Sequence, residues 1–209
     1  MIIAVDGPTA SGKGTIARAL AAHFGLPHLD TGLLYRAVGK QTVLNGGNPD
    51  DPLDAARAVD FPDSLLDDPD LRSETSGALA SRVSVHKEVR AALLERQRAF
   101  AAQPGGAVLD GRDIGTVIAP DADVKLFVTA SVAARADRRY AESLSRGHEV
   151  TLEDIRADLA ARDERDRNRA EAPLVEAVDA ILLDNSDLDA NASVAESIRL
   201  VEEALSAKG

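Results

Sequence analysis

The sequence predicts an α/β fold in which a five-stranded parallel sheet carries helices on both faces. Two observations indicate it. Short apolar runs, most of them with β-branched residues, recur at 2–6, 28–30, 107–110, 124–129 and 180–184. Segments with helical periodicity lie between them, and strands that alternate with helices form parallel sheets covered on both faces.

Apolar residues spaced three, four or seven apart indicate the helices. This spacing places each set on one helix face, which can pack on the sheet. The stripes are Ile16, Leu20 and Phe24; Val85, Val89, Leu93 and Phe100; Val132, Ala136 and Tyr140; Leu152, Ile155 and Leu159; and Val194, Ile198, Val201 and Leu205. We interpret Tyr140 as a core residue rather than a stacking site.

Residues 45–75 interrupt this pattern. They contain four prolines, at positions 49, 52, 62 and 69, many aspartates and the run Asn-Gly-Gly-Asn-Pro at 45–49. Such residues are typical of turns and loops. We expect an insert with little regular structure, and the alternative is a disordered loop.

The composition fits one domain and excludes several kinds of site. A chain of 209 residues is within the range of one α/β domain with a small insert or lid. Hydrophobic residues make up 44% of the chain and aromatic residues only 3%, so we expect a core of Ala, Leu, Val and Ile. Because cysteine is absent, disulfides and thiolate metal sites are excluded.

The charge balance argues against nucleic acid as the main partner. The formal net charge is −11, whereas affinity for a phosphate backbone comes from Lys and Arg. The first residues, Met-Ile-Ile-Ala-Val-Asp, include no basic segment or long apolar run, and no stretch is long enough to span a membrane. We therefore expect a cytoplasmic protein that binds neither nucleic acid nor a membrane.

Four of the five predicted strands end in aspartate, namely Asp6, Asp30, Asp110 and Asp184. Ligands of open parallel sheets bind at the carboxyl ends of the strands, so these side chains are expected to ring a site. Aspartate is also common where loops begin, because its side chain caps turns. For Asp184 we prefer the capping interpretation.

A glycine-rich segment follows the first strand and opens the first helix, which is the context of a P-loop. Its backbone N–H groups and the helix N-terminus attract phosphate, and Lys13 is placed to reach the β- and γ-phosphates of ATP. The alternative is an ordinary glycine-rich turn. The predicted ATP-binding residues are Gly7, Pro8, Thr9, Ala10, Ser11, Gly12, Lys13, Gly14 and Thr15.

The loop departs from the strict P-loop pattern at one position. Gly14 stands where Ser or Thr usually follows the lysine, and Thr15 comes one place later. The hydroxyl that usually holds Mg²⁺ is therefore displaced. We assign no direct metal ligand and expect Mg²⁺ to be held mainly by ATP and water.

The Gly-Lys-Gly-Thr form of the loop is similar to that of nucleoside monophosphate kinases, and three further segments narrow the resemblance. They are Asp-Thr-Gly-Leu-Leu-Tyr-Arg at 30–36, Asp-Gly-Arg-Asp-Ile-Gly-Thr-Val at 110–117 and Arg-Asp-Glu-Arg-Asp-Arg-Asn-Arg at 162–169. Together they resemble bacterial cytidylate kinases over nearly the whole chain. The resemblance implies transfer of the γ-phosphoryl group of ATP to CMP or dCMP, with Mg²⁺ as cofactor, by a monomer.

The resemblance also implies roles for individual residues. Lys13, Arg112 and Arg162 would act in catalysis by neutralising phosphate charge. The predicted acceptor-binding residues are Thr31, Arg36, Ser81, Arg90, Asp110, Arg112, Asp113, Asp166 and Arg169. Within this set, Arg36 and Arg112 would grip the acceptor phosphate; Ser81, Arg90, Asp113 and Arg169 would surround cytosine; and Arg162 and Asp166 would reach ribose hydroxyls or phosphates.

The spacing of these residues leaves other interpretations open. Arg162, Asp166 and Arg169 sit at i, i+4 and i+7, which is also typical of a solvated helix face joined by ion pairs. Arg36 could merely cover a helix, and Arg112 could merely pair with a neighbouring aspartate. The four histidines, His23, His28, His86 and His148, show no ligand spacing and are interpreted as structural or exposed.

The resemblance divides the chain into a core, an insert and a lid. The core comprises 1–44, 86–145 and 171–209; an NMP-binding insert covers about 45–85, and a helical lid about 146–170. Family members usually have a longer insert that forms a small antiparallel sheet, and residues 45–75 are too short and too rich in proline for it.

Two other functions compete with the cytidylate kinase interpretation. One is a different small-acceptor kinase of the same fold, of the UMP/CMP, adenylate or shikimate type. The other is a nucleotide-binding switch, which would need the P-loop but not the second set of arginines. A kinase, unlike a switch, requires positioning and charge neutralisation of two anionic substrates, for which arginine is well suited.

Overall fold

A computed structural model describes residues 1–145, 147 and 149–208. Its five strands are β1 (Ile2–Asp6), β2 (His28–Asp30), β3 (Ala107–Gly111), β4 (Val124–Thr129) and β5 (Ile181–Asp184), in the order β2-β3-β1-β4-β5. β1 pairs in parallel with β3 and β4, and β4 pairs in parallel with β5. The predicted five-stranded parallel sheet is confirmed, with β3 one residue longer and β5 one residue shorter than expected.

Eight helices accompany the sheet in the described part of the chain. They are α1 (Lys13–Phe24), α2 (Thr31–Leu44), α3 (Pro52–Arg57), α4 (Glu74–Val83), α5 (Lys87–Ala101), α6 (Val132–Ser145), α7 (Leu152–Asn168) and α8 (Ala190–Ser206). The predicted stripes lie on α1, α5, α6, α7 and α8. Val85 is the exception: it lies between the end of α4 and the start of α5 and is 45% exposed. None of the described helices is both long and apolar enough to cross a membrane.

The chain forms two compact units, of which the larger comprises residues 1–29 and 103–209. Its core is the sheet, with Ile3, Val5 and Leu126 no more than 1% exposed. Leu20 of α1 and Val201 of α8 belong to the same buried cluster. Tyr140 packs against the cluster that joins α6 and α7, which confirms its place in a core stripe.

The smaller unit comprises residues 30–102 and is helical, so it reaches beyond the predicted insert in both directions. α2 and α4 pack closely at Gly39, where a Cβ atom would lie only 2.7 Å from Cβ of Leu79. The expectation of little regular structure in 45–75 was wrong. This stretch contains α3, two 3₁₀ turns at Asp63–Asp67 and Pro69–Arg72, and the start of α4.

The prolines and aspartates of this stretch begin helical turns instead of breaking them. Proline fits the first position of a helix, where no N–H partner is needed. Pro52 occupies that position in α3, and the Asp51 carboxylate caps the helix by accepting from the backbone N of Leu53 and Asp54. Capping chemistry therefore predicts order here, whereas counting prolines predicts a loop.

Ion pairs fasten the same stretch to the rest of the smaller unit. The Arg82 guanidinium donates to both carboxylate oxygens of Asp50, at 2.7 Å each, and Nζ of Lys40 donates to Asp68 at 2.6 Å. Residues 45–75 contain no strand, so they do not form the small antiparallel sheet usual in the family, as expected from their length and their prolines.

Candidate active site

The phosphate loop connects β1 to α1 and depends on glycine at two positions. At Gly7, where φ is +154°, a Cβ atom would lie 2.0 Å from the backbone oxygen of Val128. Gly12, with φ of +85°, precedes the first turn of α1 in the left-handed region. The loop therefore curls at the N-terminus of a helix, where free N–H groups attract anions.

A buried asparagine that the sequence analysis did not identify fixes this loop. Asn185 follows β5 and is 1% exposed, and its Nδ2 donates to the backbone oxygen of Ser11 at 2.9 Å. Arg138 of α6 donates in turn to Oδ1 of Asn185 at 3.0 Å. Nζ of Lys13 donates to the backbone oxygen of Pro8 at 3.1 Å. The sequence offered one indication of this role: Asn185 directly follows the last predicted strand, at the sheet edge where ligands are expected to bind.

A cavity of about 430 Å³ opens beside the loop within the larger unit. Gly12 and Thr15 line it on the loop side, Arg138 and Arg139 on α6, and Ser193 on α8. Its size and its position next to a phosphate-binding loop suit the base and ribose of a nucleotide.

Arg112 lies against the phosphate loop, as a phosphate-binding residue should. Its Nη2 donates to Oγ1 of Thr9 at 2.6 Å, and its Nε donates to the carboxylate of Asp166, which is 4% exposed. Burial opposes the charge of Arg112, but the carboxylates, with Asp166 foremost, outweigh it and raise the pKa of this guanidinium. The structure thus brings three predicted site residues together.

Arg162 is a second arginine of this site, 6% exposed on α7, and its Nη1 lies 3.8 Å from the carboxylate of Asp158. Burial, followed by the charge of Arg112, lowers the pKa of Arg162 to about 10. Arg162 therefore remains charged at neutral pH. Two cations that repel each other beside the loop are stabilised when a polyanion binds between them.

Asp113 and Arg169 form a buried pair at the end of α7. Their closest charged atoms are 3.6 Å apart, and Nε of Arg169 also donates to the backbone oxygen of Ala172 at 2.5 Å. Arg169 is the residue after the last turn of α7, so the helix carries Arg162 and Asp166 but ends before Arg169. The alternative of a solvated face is wrong, because all three side chains are buried.

A single turn of π-helix at Ile114–Ile118 follows the segment that carries Arg112. Its first two N–H groups, of Ile114 and Gly115, donate to Oδ1 and Oδ2 of Asp6 at 2.8 Å each. Asp6 ends β1 and is 5% exposed. Burial raises the pKa of Asp6 to about 7, against the two hydrogen bonds, which lower it.

The raised pKa of Asp6 has a consequence for stability. The ordinary value of this carboxyl is 3.8, so between about pH 4 and pH 7 the folded protein retains a proton that the unfolded chain releases. The stabilisation present below pH 4 is therefore lost as the pH rises through about 7. Above that pH the ionised carboxylate opposes folding. Stabilisation of the fold therefore does not by itself explain why a carboxyl group is buried at this position.

Asp110 at the end of β3 is buried beside the loop. Its Oδ1 lies 2.7 Å from Nε2 of His28, which gives that histidine a structural partner, as expected. Its Oδ2 lies 3.6 Å from where a Cβ of Gly14 would be. Asp184, in contrast, accepts from the backbone N of Ser186 at 2.9 Å, which agrees with the capping interpretation.

The other predicted histidines and the predicted lid lie only partly within the described residues. His23 is exposed and pairs with Glu202 at 2.9 Å, and Nε2 of His86 lies 2.9 Å from the backbone oxygen of Pro49. His148 lies outside the described residues, as does residue 146, with which the predicted lid begins. Within the described part of that segment, α7 accounts for most of the predicted helical lid.

The other predicted acceptor residues lie on helices of the smaller unit. Arg36 of α2 donates through Nη1 to the backbone oxygens of Leu71 and Ser73, at 2.7 and 2.9 Å. The guanidinium of Arg90 on α5 lies 5.6 Å from the centroid of the Tyr35 ring. Thr31 is buried in the first turn of α2, and Ser81 is half-buried on α4.

The sequence analysis also missed a buried ion pair that joins α6 and α7. Arg135 and Asp163 are 2% and 3% exposed, and two nitrogens of the guanidinium contact the two carboxylate oxygens at 3.0 and 2.5 Å. Arg135 also donates to the backbone oxygen of Thr9 in the phosphate loop at 3.0 Å. The sequence indicates this pair only weakly, through the position of a charged residue, Arg135, directly beside the apolar stripe of α6.

Comparisons with known proteins show which family this chain resembles. The family model described as cytidylate kinase matches residues 3–203. The cytidylate kinases of Xanthobacter autotrophicus and Rhodopseudomonas palustris are each 56% identical to this chain over 97% of its length, and 97% and 96% of those proteins are covered. That of Acidiphilium cryptum is 54% identical over 98% of this chain and 97% of its own length.

The same comparisons bear on the insert and the fold. Because nearly the whole length of these relatives is covered, they carry no longer insert than this chain does. The crystal structure of an uncharacterized protein from Eubacterium ventriosum is 15% identical, has a TM-score of 0.56, and covers 97% of this chain and 98% of its own; this likeness concerns the fold alone. The sequence, the fold and the family match together establish that the chain belongs to the cytidylate kinase family.

Proposed function

We propose that this chain transfers the γ-phosphoryl group of ATP to CMP, giving CDP and ADP. The observation that carries this is the position of Arg112, whose guanidinium joins Thr9 of the phosphate loop to Asp166 beside a second buried arginine. A nucleotide-binding switch has no need of that second set of cations. Membership of the cytidylate kinase family favours CMP over other small acceptors.

ATP would bind along the phosphate loop. Backbone N–H groups of residues 7–12 and the N-terminus of α1 would hold its phosphates, and Lys13 would exchange its contact with Pro8 for the β- and γ-phosphates. The adjacent cavity, which Gly12 and Thr15 help to line, would hold the base and ribose. Binding thus uses preformed backbone geometry more than side-chain movement.

The residues beside the loop suit a hydrated magnesium ion. Mg²⁺ prefers oxygen ligands and keeps several waters, and two oxygen ligands are present at Gly14: the nearby Asp110 carboxylate and the hydroxyl of Thr15, the next residue in the chain. They would hold the ion through water, together with the phosphates of ATP. When bound, the ion neutralises charge on the β- and γ-phosphates.

Transfer itself needs positioning and charge neutralisation rather than a covalent catalyst. Arg112 and Arg162 would neutralise the phosphates as they approach each other. An attacking phosphate oxygen of CMP is already anionic, so we assign no general base. Closure of the predicted lid, about 146–170, would exclude water and prevent ATP hydrolysis.

The acceptor would be recognised by two groups of residues. In the smaller unit, Arg36 would exchange its backbone contacts for the CMP phosphate, with Thr31, Ser81 and Arg90 contributing around the nucleotide. In the larger unit, the buried Asp113–Arg169 pair would bind the hydrogen-bonding edge of cytosine. We extend the proposal to dCMP as acceptor and to a monomer acting in the cytoplasm.

A panel of acceptors tests the reaction. ADP release from ATP and Mg²⁺ is measured with CMP, dCMP, UMP, AMP, GMP, shikimate or no acceptor. We expect strong release with CMP and dCMP and weak release with UMP. An equal response to UMP would contradict base selection by Asp113 and Arg169, and release that needs no acceptor, or none at all, would contradict the kinase.

Replacement of Arg169 by alanine is expected to weaken selection of the base. The change removes the ion pair between Arg169 and Asp113 and the hydrogen bond that Arg169 would make to cytosine. Loss of a hydrogen bond to a charged group costs about 1.5–3 kcal/mol. The kcat/KM for CMP should fall about 10- to 100-fold and that for UMP should fall less. Arg167→Ala, at a 61% exposed position on α7, is the matched control. An unchanged ratio of CMP to UMP activity would show that Arg169 does not read the base.

A further inference from the structure

Asp6 connects the two parts of the site that bind different substrates. It directly precedes Gly7 of the phosphate loop, and it accepts the N–H groups of Ile114 and Gly115, which directly follow Asp113. The strand register also pairs Asp6 with Gly111, the last residue of β3, and Arg112 follows Gly111 directly. One side chain therefore lies at the start of the loop and at the end of the segment that carries Arg112.

We propose that the ionised carboxylate of Asp6 is a positioning residue that fixes the Arg112–Asp113 segment for attack by the acceptor nucleotide. The inference rests on the proposed function and concerns a residue to which the family resemblance assigned no role. Asp6 would not touch either substrate. It would act through the turn that begins at Ile114, and so through the orientation of Arg112 and Asp113.

The geometry requires a carboxylate and not merely a polar side chain. An ionised carboxylate presents a full acceptor oxygen to each of the two N–H groups, whereas an amide, and in part a protonated acid, replaces one of these acceptors with a donor. Gly115 permits the close approach, since a Cβ there would lie 3.4 Å from Oδ2 of Asp6 and 3.0 Å from Cδ of Lys125.

The charges that face Asp6 come from three elements. Lys13 at the start of α1 favours its ionised form, and Asp113 before the π-turn disfavours it. Lys125 of β4 packs beside Gly115, with its Nζ 2.8 Å from Asp179. Because burial raises the pKa of Asp6 to about 7, a change of pH near neutrality changes the number of acceptors that the turn receives.

The Asp6→Asn variant tests the proposal through steady-state kinetics with CMP and ATP. We expect kcat/KM for CMP to fall about 10- to 100-fold, since a small misplacement of charge-stabilising groups costs about that much. We expect KM for ATP to stay unchanged or to fall, because removal of a negative charge near Lys13 favours phosphate binding. A general loss of structure would instead raise KM for ATP and KM for CMP together.

The pH dependence separates this role from ordinary packing. CMP and ATP titrate identically with either enzyme, so the ratio of wild-type to variant kcat/KM isolates Asp6. This ratio should rise about tenfold from pH 6 to pH 8, because the ionised fraction of a group with a pKa of about 7 rises by about that factor. Asp121→Asn, at an exposed position before β4, is the control and should match the wild type at every pH.

Each outcome decides the matter. A ratio that stays flat with pH, or an equal rise in KM for ATP and CMP, would overturn the role of Asp6 while leaving the kinase intact. A wild-type protein without CMP-dependent ADP release would overturn the proposed function and this inference with it. If Asp6→Asn does not fold, judged by circular dichroism, Asp6→Ala provides the second test, because it removes both acceptor oxygens without adding a donor. Wild-type kcat/KM for CMP in that variant would overturn the proposal.

Discussion

Arg112→Ala is expected to lower kcat/KM for CMP by about 10²–10³-fold. Loss of one preorganised donor to developing charge typically has this effect. Arg112 is suited to that role because its guanidinium lies against the phosphate loop, 2.6 Å from the hydroxyl of Thr9, and is kept charged by Asp166. The measurement is ADP release at varied CMP and saturating ATP.

Two comparisons make the result specific to the guanidinium of Arg112. Arg112→Lys keeps a positive charge near the buried Asp166 but removes the planar fork, so we expect a smaller loss than with alanine. Arg199→Ala on α8, where the arginine forms exposed pairs with Glu196 and Glu203, should behave like the wild type. Normal activity of Arg112→Ala in a folded protein would refute a role for this residue in transfer.

The largest effect on stability is expected from Asp163→Ala. Among the residues that the structure describes, this change leaves the buried guanidinium of Arg135 with two hydrogen-bond partners, the backbone oxygens of Ala130 and Thr9. Removal of one member of a buried ion pair typically costs about 3–5 kcal/mol, because the remaining charge is uncompensated. Urea denaturation, followed by circular dichroism, measures the change in the free energy of unfolding.

An exposed ion pair between the same two helices provides the matched control. Arg156 of α7 and Asp137 of α6 are 3.6 Å apart and about half exposed, so Asp137→Ala should cost no more than about 1 kcal/mol. The double change Arg135→Met and Asp163→Leu should recover much of the stability lost with Asp163→Ala. A change below about 1 kcal/mol for Asp163→Ala itself would show that the buried pair does not hold α6 and α7 together.

The sequence predicted those parts of the fold that depend on local pattern. Apolar runs and helical stripes place all five strands and the helices α1, α5, α6, α7 and α8, because burial on a sheet selects residue types at fixed spacing. The structure of the smaller unit was predicted least well. There, prolines and aspartates start helices instead of ending them, and the same residue types serve both purposes, so composition cannot distinguish them.

The phosphate loop could be predicted because its chemistry is local. A strand, glycines with special backbone angles, a lysine and a helix follow each other within about 20 residues. The grouping of Asp113 and Arg169 around one base was expected only through the family resemblance, since the two residues are far apart in the chain. Their contact at 3.6 Å agrees with that grouping, while binding of cytosine stays a prediction.

By itself, the sequence determined the sheet, the phosphate loop and the family, because each depends on short-range order along the chain. Only the tertiary structure decided which charged side chains are buried and what they contact. Arg135, Asp163 and Asn185 are of residue types that usually lie at the surface, and the position of Asp6 at a strand end does not show what it contacts. Each is at most 5% exposed; Asp6, Arg135 and Asn185 bond to backbone groups of the site, and Asp163 pairs with Arg135. Long-range packing determines the burial of such groups, and burial in turn gives their charges and hydrogen bonds their strength.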